Sequence, residues 1–148
     1  MKFLISSHRL TSYGGYLNYT MVYVQGPAGY TVTAPDVVLI GAELTLYHFS
    51  QTVPSASQMV TVLTEITERS FVLPTGLPAT RENLMVVLKD LRALYIRGSY
   101  ADPTQEARLS YVSLDIATKD FDPNSDAVSF SGFFCPSFFQ ISSSLVNY

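Results

Sequence analysis

The sequence predicts a mostly β protein, an antiparallel, jelly-roll-like β-sandwich carrying one short helix. Three observations point there. Tyr and Phe number 10 and 9 in 148 residues and stand among recurring Val and Thr, the residue types that suit a pleated surface. Pro, Gly, Asn, Asp and Ser interrupt the apolar stretches at short intervals, as turns between strands do. Apolar and polar side chains alternate along six stretches, and a single stretch changes to helical spacing.

The first strand is Tyr16 to Gln25, with Leu17, Tyr19, Met21 and Tyr23 on one face and Asn18 and Thr20 on the other. Pro27, Ala28 and Gly29 are expected to end it. Asp36 to Ile40 follows Pro35 and stops at Gly41. Glu43 to Phe49 alternates again, with Leu44 and Leu46 on one side. Pro54 and its serines form a loop, and Met59 to Ile66 sets Val60, Val62 and Ile66 opposite Thr61 and Glu65.

The helical stretch begins after Pro78. Leu84, Val87, Leu88 and Leu91 recur at helical spacing, which predicts a helix of about three turns over Arg81 to Leu91. Thr80 suits the N-cap, Glu82 the positive end of the helix dipole, and Lys89 and Arg92 the negative end. Arg81 goes against the pattern, since a cation in the first turn opposes the dipole by ~0.3–1 kcal/mol. It calls for an acidic or carbonyl partner elsewhere in the chain. Alternation resumes over Ala93 to Tyr100 with Leu94, Ile96 and Tyr100 inward. Ala101-Asp102-Pro103 is expected to turn the chain into a sixth strand, Arg108 to Ile116, with Val112, Leu114 and Ile116 on one face.

After Lys119 the character changes. Phe130, Phe133, Phe134, Phe138 and Phe139 stand among serines without a clean period, and Ile141 to Tyr148 has no charged side chain. The organisation is therefore residues 1–119 as one domain and 120–148 as an aromatic, Ser-rich tail. Where the sheet loses its closing strand, these Phe side chains would be left as an apolar patch that favours association and cleavage.

Composition narrows the function. Hydrophobic residues make up 47% of the chain and charged residues 14%, which is a folding composition. A net charge of -3 without clustered Lys or Arg argues against nucleic acid and anionic membranes. No apolar run reaches the roughly 20 residues that span a bilayer. Met1-Lys2-Phe3-Leu4-Ile5 starts like a signal peptide, but Ser6, Ser7, His8 and Arg9 interrupt it, so no export signal is readable. Cys135 is the one cysteine, which excludes an internal disulfide and leaves the redox compartment open.

Four segments carry a family resemblance. Leu10-Thr11-Ser12-Tyr13-Gly14-Gly15-Tyr16-Leu17 resembles the opening motif of laminin IV type A (laminin B) domains, and Pro35-Asp36-Val37-Val38-Leu39-Ile40-Gly41 resembles their "P-D-V-x-L-x-G" strand. Pro78-Ala79-Thr80-Arg81-Glu82-Asn83-Leu84 through Leu88, continuing to Leu94-Tyr95-Ile96-Arg97-Gly98-Ser99-Tyr100, is the longest match. Val112-Ser113-Leu114-Asp115-Ile116-Ala117 is similar to the closing strand. The order and spacing hold from Lys2 to Ala117. The chain opens inside the family's first motif, which implies a truncated N-terminal edge. Cys135-Pro136 resembles the start of a following EGF-like module without its other cysteines. These departures fit a fragment, a mis-predicted product or a truncated isoform.

The resemblance implies a non-enzymatic structural module of laminin short arms and perlecan-type proteoglycans in the extracellular matrix of basement membranes. Such a module is a globular spacer or protein-interaction domain, whose partners are matrix proteins or neighbouring EGF-like modules. It implies no cofactor, no metal and no membrane insertion. Its motif residues read as structural. Gly14 and Gly15 permit a turn that a Cβ would obstruct, Tyr13 belongs to the same motif, Arg81 opens the helix that closes one end, and Arg97 suits a buried or edge salt bridge.

Other features are weighed on their own residues. Asn18-Tyr19-Thr20 is an N-glycosylation sequon on the polar face of its strand. Asp120, Asp122, Asn124 and Asp126 have calcium-loop spacing, but Ser125 and Ser131 replace the Gly and bidentate Glu of an EF-hand, so a solvated acidic turn is the better reading. His8 and His48 lack any nucleophile elbow or zinc spacing around them. A carbohydrate-binding, lectin-like jelly roll is the alternative function, with Tyr13, Tyr16, Tyr95 and Tyr111 as the rings on which sugars would stack.

Overall fold

Alternating burial along the first strand organises the molecule. In the computed structural model, which describes residues 9–115, 130–134 and 138–143, β1 (Tyr16–Thr31) buries Leu17, Tyr19, Met21 and Tyr23 and turns Asn18 and Val22 outward. Then follow β2 (Val37–Gly41), β3 (Thr45–His48), β4 (Val60–Glu65), helix α1 (Arg81–Lys89), β5 (Leu91–Arg97), β6 (Ala101–Leu114), β7 (Phe130–Phe134) and β8 (Phe138–Ser143). Short 3-10 turns lie at Arg9–Ser12 and Glu68–Ser70.

The strands form two antiparallel sheets, one ordered β4-β1-β6 and the other β3-β2-β5-β8-β7. Their inner faces share one core, in which β1 meets Val37, Leu39, Leu46, Leu94 and Ile96 of the second sheet. This is the mostly β, two-sheet architecture that the alternation predicts. The connectivity gives the sandwich two unlike ends. At one end the chain passes between the sheets three times, through residues 32–36, 49–59 and 98–100. At the other end lie the Tyr13 segment, residues 66–80 and α1.

Helix α1 starts where the sequence places it. Thr80 Oγ1 accepts from the Asn83 amide at 3.2 Å, and Asn83 Oδ1 accepts from the Thr80 amide at 3.0 Å, a reciprocal cap with Asn at the third position. Leu84, Val87 and Leu88 are buried against the core. Thr80→Ala is expected to lower stability by about 1 kcal/mol, read as a reduced urea midpoint. An unchanged midpoint would mean that the cap adds nothing.

Several boundaries differ from the sequence expectation. The helix ends at Lys89, and Leu91, though buried, opens β5 and pairs with Gly41. Pro27, Ala28 and Gly29 do not end β1. They loop out as a bulge, with Ala28 at φ 57°, and pairing resumes at Tyr30 and Thr31 against Asp102 and Ala101. Ala101-Asp102-Pro103 is likewise strand rather than turn. Proline fits there because β6 is an edge strand, where one missing N–H disrupts no second neighbour.

The tail also departs from expectation. The sequence suggests that the sheet loses its closing strand beyond Lys119, but β8 pairs with β5 from Leu94–Ile141 to Arg97–Phe138, and β7 pairs with β8. Two of the five strands of that sheet thus come from the tail. Period-two alternation is no guide here, because Phe130 to Phe134 and Phe138 to Ser143 mix Phe with Ser and Gly at both parities.

Candidate functional site

The motif residues fall into two clusters, one at each end of the sandwich. At the helix end, the Gly14 amide donates to the Ile66 carbonyl at 2.9 Å and the Ile66 amide returns a bond to Gly15 at 2.9 Å. Gly14 takes φ 80°, a conformation L side chains avoid, and a Cβ on Gly15 would sit 2.5 Å from the Asp115 carbonyl oxygen. Both glycines are needed for β1 to start this close to the end of β6.

Beside this turn, the Tyr13 hydroxyl donates to Glu68 Oε2 at 2.6 Å and the Arg81 guanidinium lies 5.0 Å from the centre of the Tyr13 ring. The bond holds the Glu68 carboxyl below its ordinary range and pushes the Tyr13 phenol up. The awkward cation in the first turn of α1 thereby acquires partners. An exposed cation–π contact gives ~0.5–1 kcal/mol, comparable with the ~0.3–1 kcal/mol of opposition from the dipole. The partner is an aromatic face backed by a carboxylate, where the sequence suggested an acid or a carbonyl. Glu68 is invisible in the sequence, standing 55 residues from Tyr13 at the start of the short 3-10 turn Glu68–Ser70.

Arg97 anchors the opposite end. It is 4% exposed, and its guanidinium donates to the carbonyls of Ser99 at 2.8 Å, Ala34 at 3.0 Å and Val32. Its plane lies 4.2 Å from the Tyr100 ring centre. Among the described residues, the salt bridge expected for Arg97 is replaced by these three carbonyls. A planar fork with several donors suits diverging backbone oxygens better than a point charge does. Because Val32 and Ala34 lie in one passage between the sheets and Ser99 in another, one side chain ties the two together.

Asp36 joins the third passage to the same cluster. Its carboxylate, 3% exposed, accepts from the Ser50 amide at 2.6 Å and from the Tyr100 hydroxyl. Tyr23, buried alongside Tyr100, donates to the Pro54 carbonyl at 2.8 Å. Burial, and then the Asp36 carboxylate, push the Tyr100 phenol well above its ordinary value, and burial does the same to Tyr19. Asp36 and Tyr100 sit inside the motifs the sequence reveals, but nothing in a linear motif says that a carboxylate meets a phenol 64 residues away.

The remaining candidates are dispersed. Asn18 is half-buried at the centre of the three-stranded sheet, paired with Leu63 and Ser113. Tyr16 is 45% exposed at the start of β1. Tyr95 lies on β5 in the other sheet, half-buried opposite Val38. Tyr111 is 86% exposed at a bulge in β6 with φ 52°, and borders a groove of about 590 Å³ with Met59 and Arg108. The four tyrosines therefore form no single platform. His48 Nδ1 meets the Ser70 carbonyl at 2.6 Å beside Phe71. No His, Cys, Asp and Glu grouping suited to a metal occurs among the described residues. His8, the Asp120 to Asp126 loop and Cys135 lie outside them.

Comparison with known proteins agrees with this arrangement. The family model for Laminin B (Domain IV) matches residues 4–129. Laminin subunit alpha of Drosophila melanogaster is 35% identical over 119 residues, covering 80% of this chain and 3% of that protein. The basement membrane-specific heparan sulfate proteoglycan core protein of Mus musculus is 35% identical over 113 residues, covering 76% of this chain and 3% of that protein. The chain thus spans a small part of the relatives it matches. In fold it is similar to the L4b domain of human laminin alpha-2, with a TM-score of 0.66 at 22% identity over 74% of this chain and 64% of that one. The chain belongs to the Laminin B (Domain IV) family.

Proposed function

We propose that the chain is a non-enzymatic structural module of an extracellular, basement-membrane-type protein, acting as a globular spacer or protein-interaction domain between neighbouring modules of EGF-like type. The observation that carries this reading is the use made of the motif residues. Tyr13 donates to Glu68 and carries Arg81 on its ring face, and Arg97 is buried on three carbonyls, so these motif side chains are engaged in holding the two ends of the sandwich. The relatives support the location, being subunits of laminin and a basement membrane proteoglycan.

The alternative, a carbohydrate-binding module, is favoured by one feature, the open Tyr111 ring beside the groove with Met59 and Arg108. A glycan array and a panel of purified basement membrane proteins, probed with the full secreted chain, separate the two. The spacer or protein-interaction reading expects no saturable glycan binding, with any binding confined to proteins. Saturable binding of one glycan class that Tyr111→Ala abolishes would overturn it.

A further inference from the structure

Asn18-Tyr19-Thr20 is the one Asn-X-Ser/Thr sequence in the chain, and it lies on a central strand, with β4 on one side of β1 and β6 on the other. On an extended strand, residues two apart share a face, so Tyr16, Asn18 and Thr20 stand in a row on the outer side of the three-stranded sheet. Directly across from Asn18 on β4 is Leu63, and across from Tyr16 is Glu65. Tyr16 is 45% exposed and Leu63 is 62% exposed. A sugar linked to the Asn18 amide would therefore emerge between an aromatic ring and an open aliphatic side chain.

We infer that Asn18 carries an N-linked glycan whose first N-acetylglucosamine packs against Tyr16 and Leu63. The inference rests on the extracellular reading above, since the modification requires passage through the secretory pathway. Same-face neighbours along a strand stand roughly 6.6–6.8 Å apart, and directly paired cross-strand neighbours about 4.5–5.5 Å. Both distances are within reach of a pyranose ring on the Asn18 side chain. The C–H face of that ring meets the electron-rich face of Tyr16, and apolar surface on Tyr16 and Leu63 leaves water.

The structure also fixes when the sugar must be added. Thr20 is 9% exposed and its hydroxyl is 3.0 Å from that of Thr61 on β4, so the folded sheet withholds the hydroxyl that completes the sequon. Transfer precedes the pairing of β1 with β4. The donor is a lipid pyrophosphate-linked oligosaccharide. The Asn18 amide nitrogen forms a bond to the anomeric carbon while the bond from that carbon to the pyrophosphate oxygen breaks. The lipid pyrophosphate leaves with the electron pair, and one amide proton is released.

The test uses the full 148-residue chain behind a cleavable signal sequence. Cell-free translation with microsomes should give a single-glycan mass shift that Asn18→Gln abolishes and Thr20→Ser retains. Absence of that shift would overturn the inference, and this readout does not depend on folding. In chain secreted from cultured cells, the glycan should raise Tm by about 2–4 °C relative to Asn18→Gln. The gain should vanish with Tyr16→Ala and persist with Tyr16→Phe, which keeps the ring. An equal gain with Tyr16→Ala would overturn the seat on Tyr16. Normal microsomal glycosylation without secretion would count against the extracellular reading and leave the modification site standing.

Discussion

Replacing Arg97 by Met should cost about 3–5 kcal/mol of stability, the largest effect of any single substitution at the crossover end. Met keeps much of the stem volume, so the loss isolates the guanidinium. Its removal leaves the carbonyls of Ser99, Ala34 and Val32 without their charged donors. Hydrogen bonds to charged groups contribute roughly 1.5–3 kcal/mol each, and part of that is offset by hydration of the exposed carbonyls once the end loosens. Arg97→Lys should recover little, since an ammonium cannot bridge diverging carbonyls as a fork does. Urea unfolding of both variants measures this. A loss under about 1 kcal/mol for Arg97→Met would show that the three passages are held by packing alone.

Leu88→Ala should cost ~2–5 kcal/mol while Lys89→Ala, one residue along, costs under ~1 kcal/mol. Leu88 is 1% exposed and packs with Leu84 and Val87 on the inner face of α1, whereas Lys89 faces solvent. The cost at Leu88 has two parts, the transfer of lost methyl groups to water and the cavity left behind. The second is substantial here because β2 and the 3-10 turns hold the helix from several sides. The contrast is measured by unfolding the pair of variants under one condition. Equal, small effects would mean that the helix presents a different face to the core.

How much of this was legible in the sequence depended on the range of the interactions. Elements specified by local pattern were readable. The Leu17, Tyr19, Met21 and Tyr23 face, the Thr80 cap and the Leu84–Leu88 stripe each follow from a fixed period or from residues within one turn. The family was readable because its motifs preserve these local signatures in order. Long-range partners were not readable. Glu68 for Tyr13 and Tyr100 for Asp36 meet across 55 and 64 residues, and such pairings are set by topology rather than by period. The bulges misled in the opposite direction. Pro27 to Gly29 and Ala101 to Pro103 have the composition of turns, yet β1 resumes pairing beyond its bulge at Tyr30 and Thr31, and Ala101 and Asp102 are their partners at the start of the edge strand β6. In the tail, Phe and Ser fall at both parities, so β7 and β8 become visible only once β5 offers an edge to pair with.

That last pairing bears on the central claim, that the chain closes a two-sheet sandwich whose motif residues serve its own architecture. Alternate amides of a strand bond to alternate neighbours, so β5 between β2 and β8 should have every second amide protected by each. Residue-resolved hydrogen exchange on the secreted full chain measures this directly. Consecutive amides across Leu94 to Ile96 should exchange as slowly as those of Leu17 to Met21 in the centre of the other sheet. Fast exchange at every second amide of β5, with β1 still protected, would show β5 to be an open edge and would contradict the account.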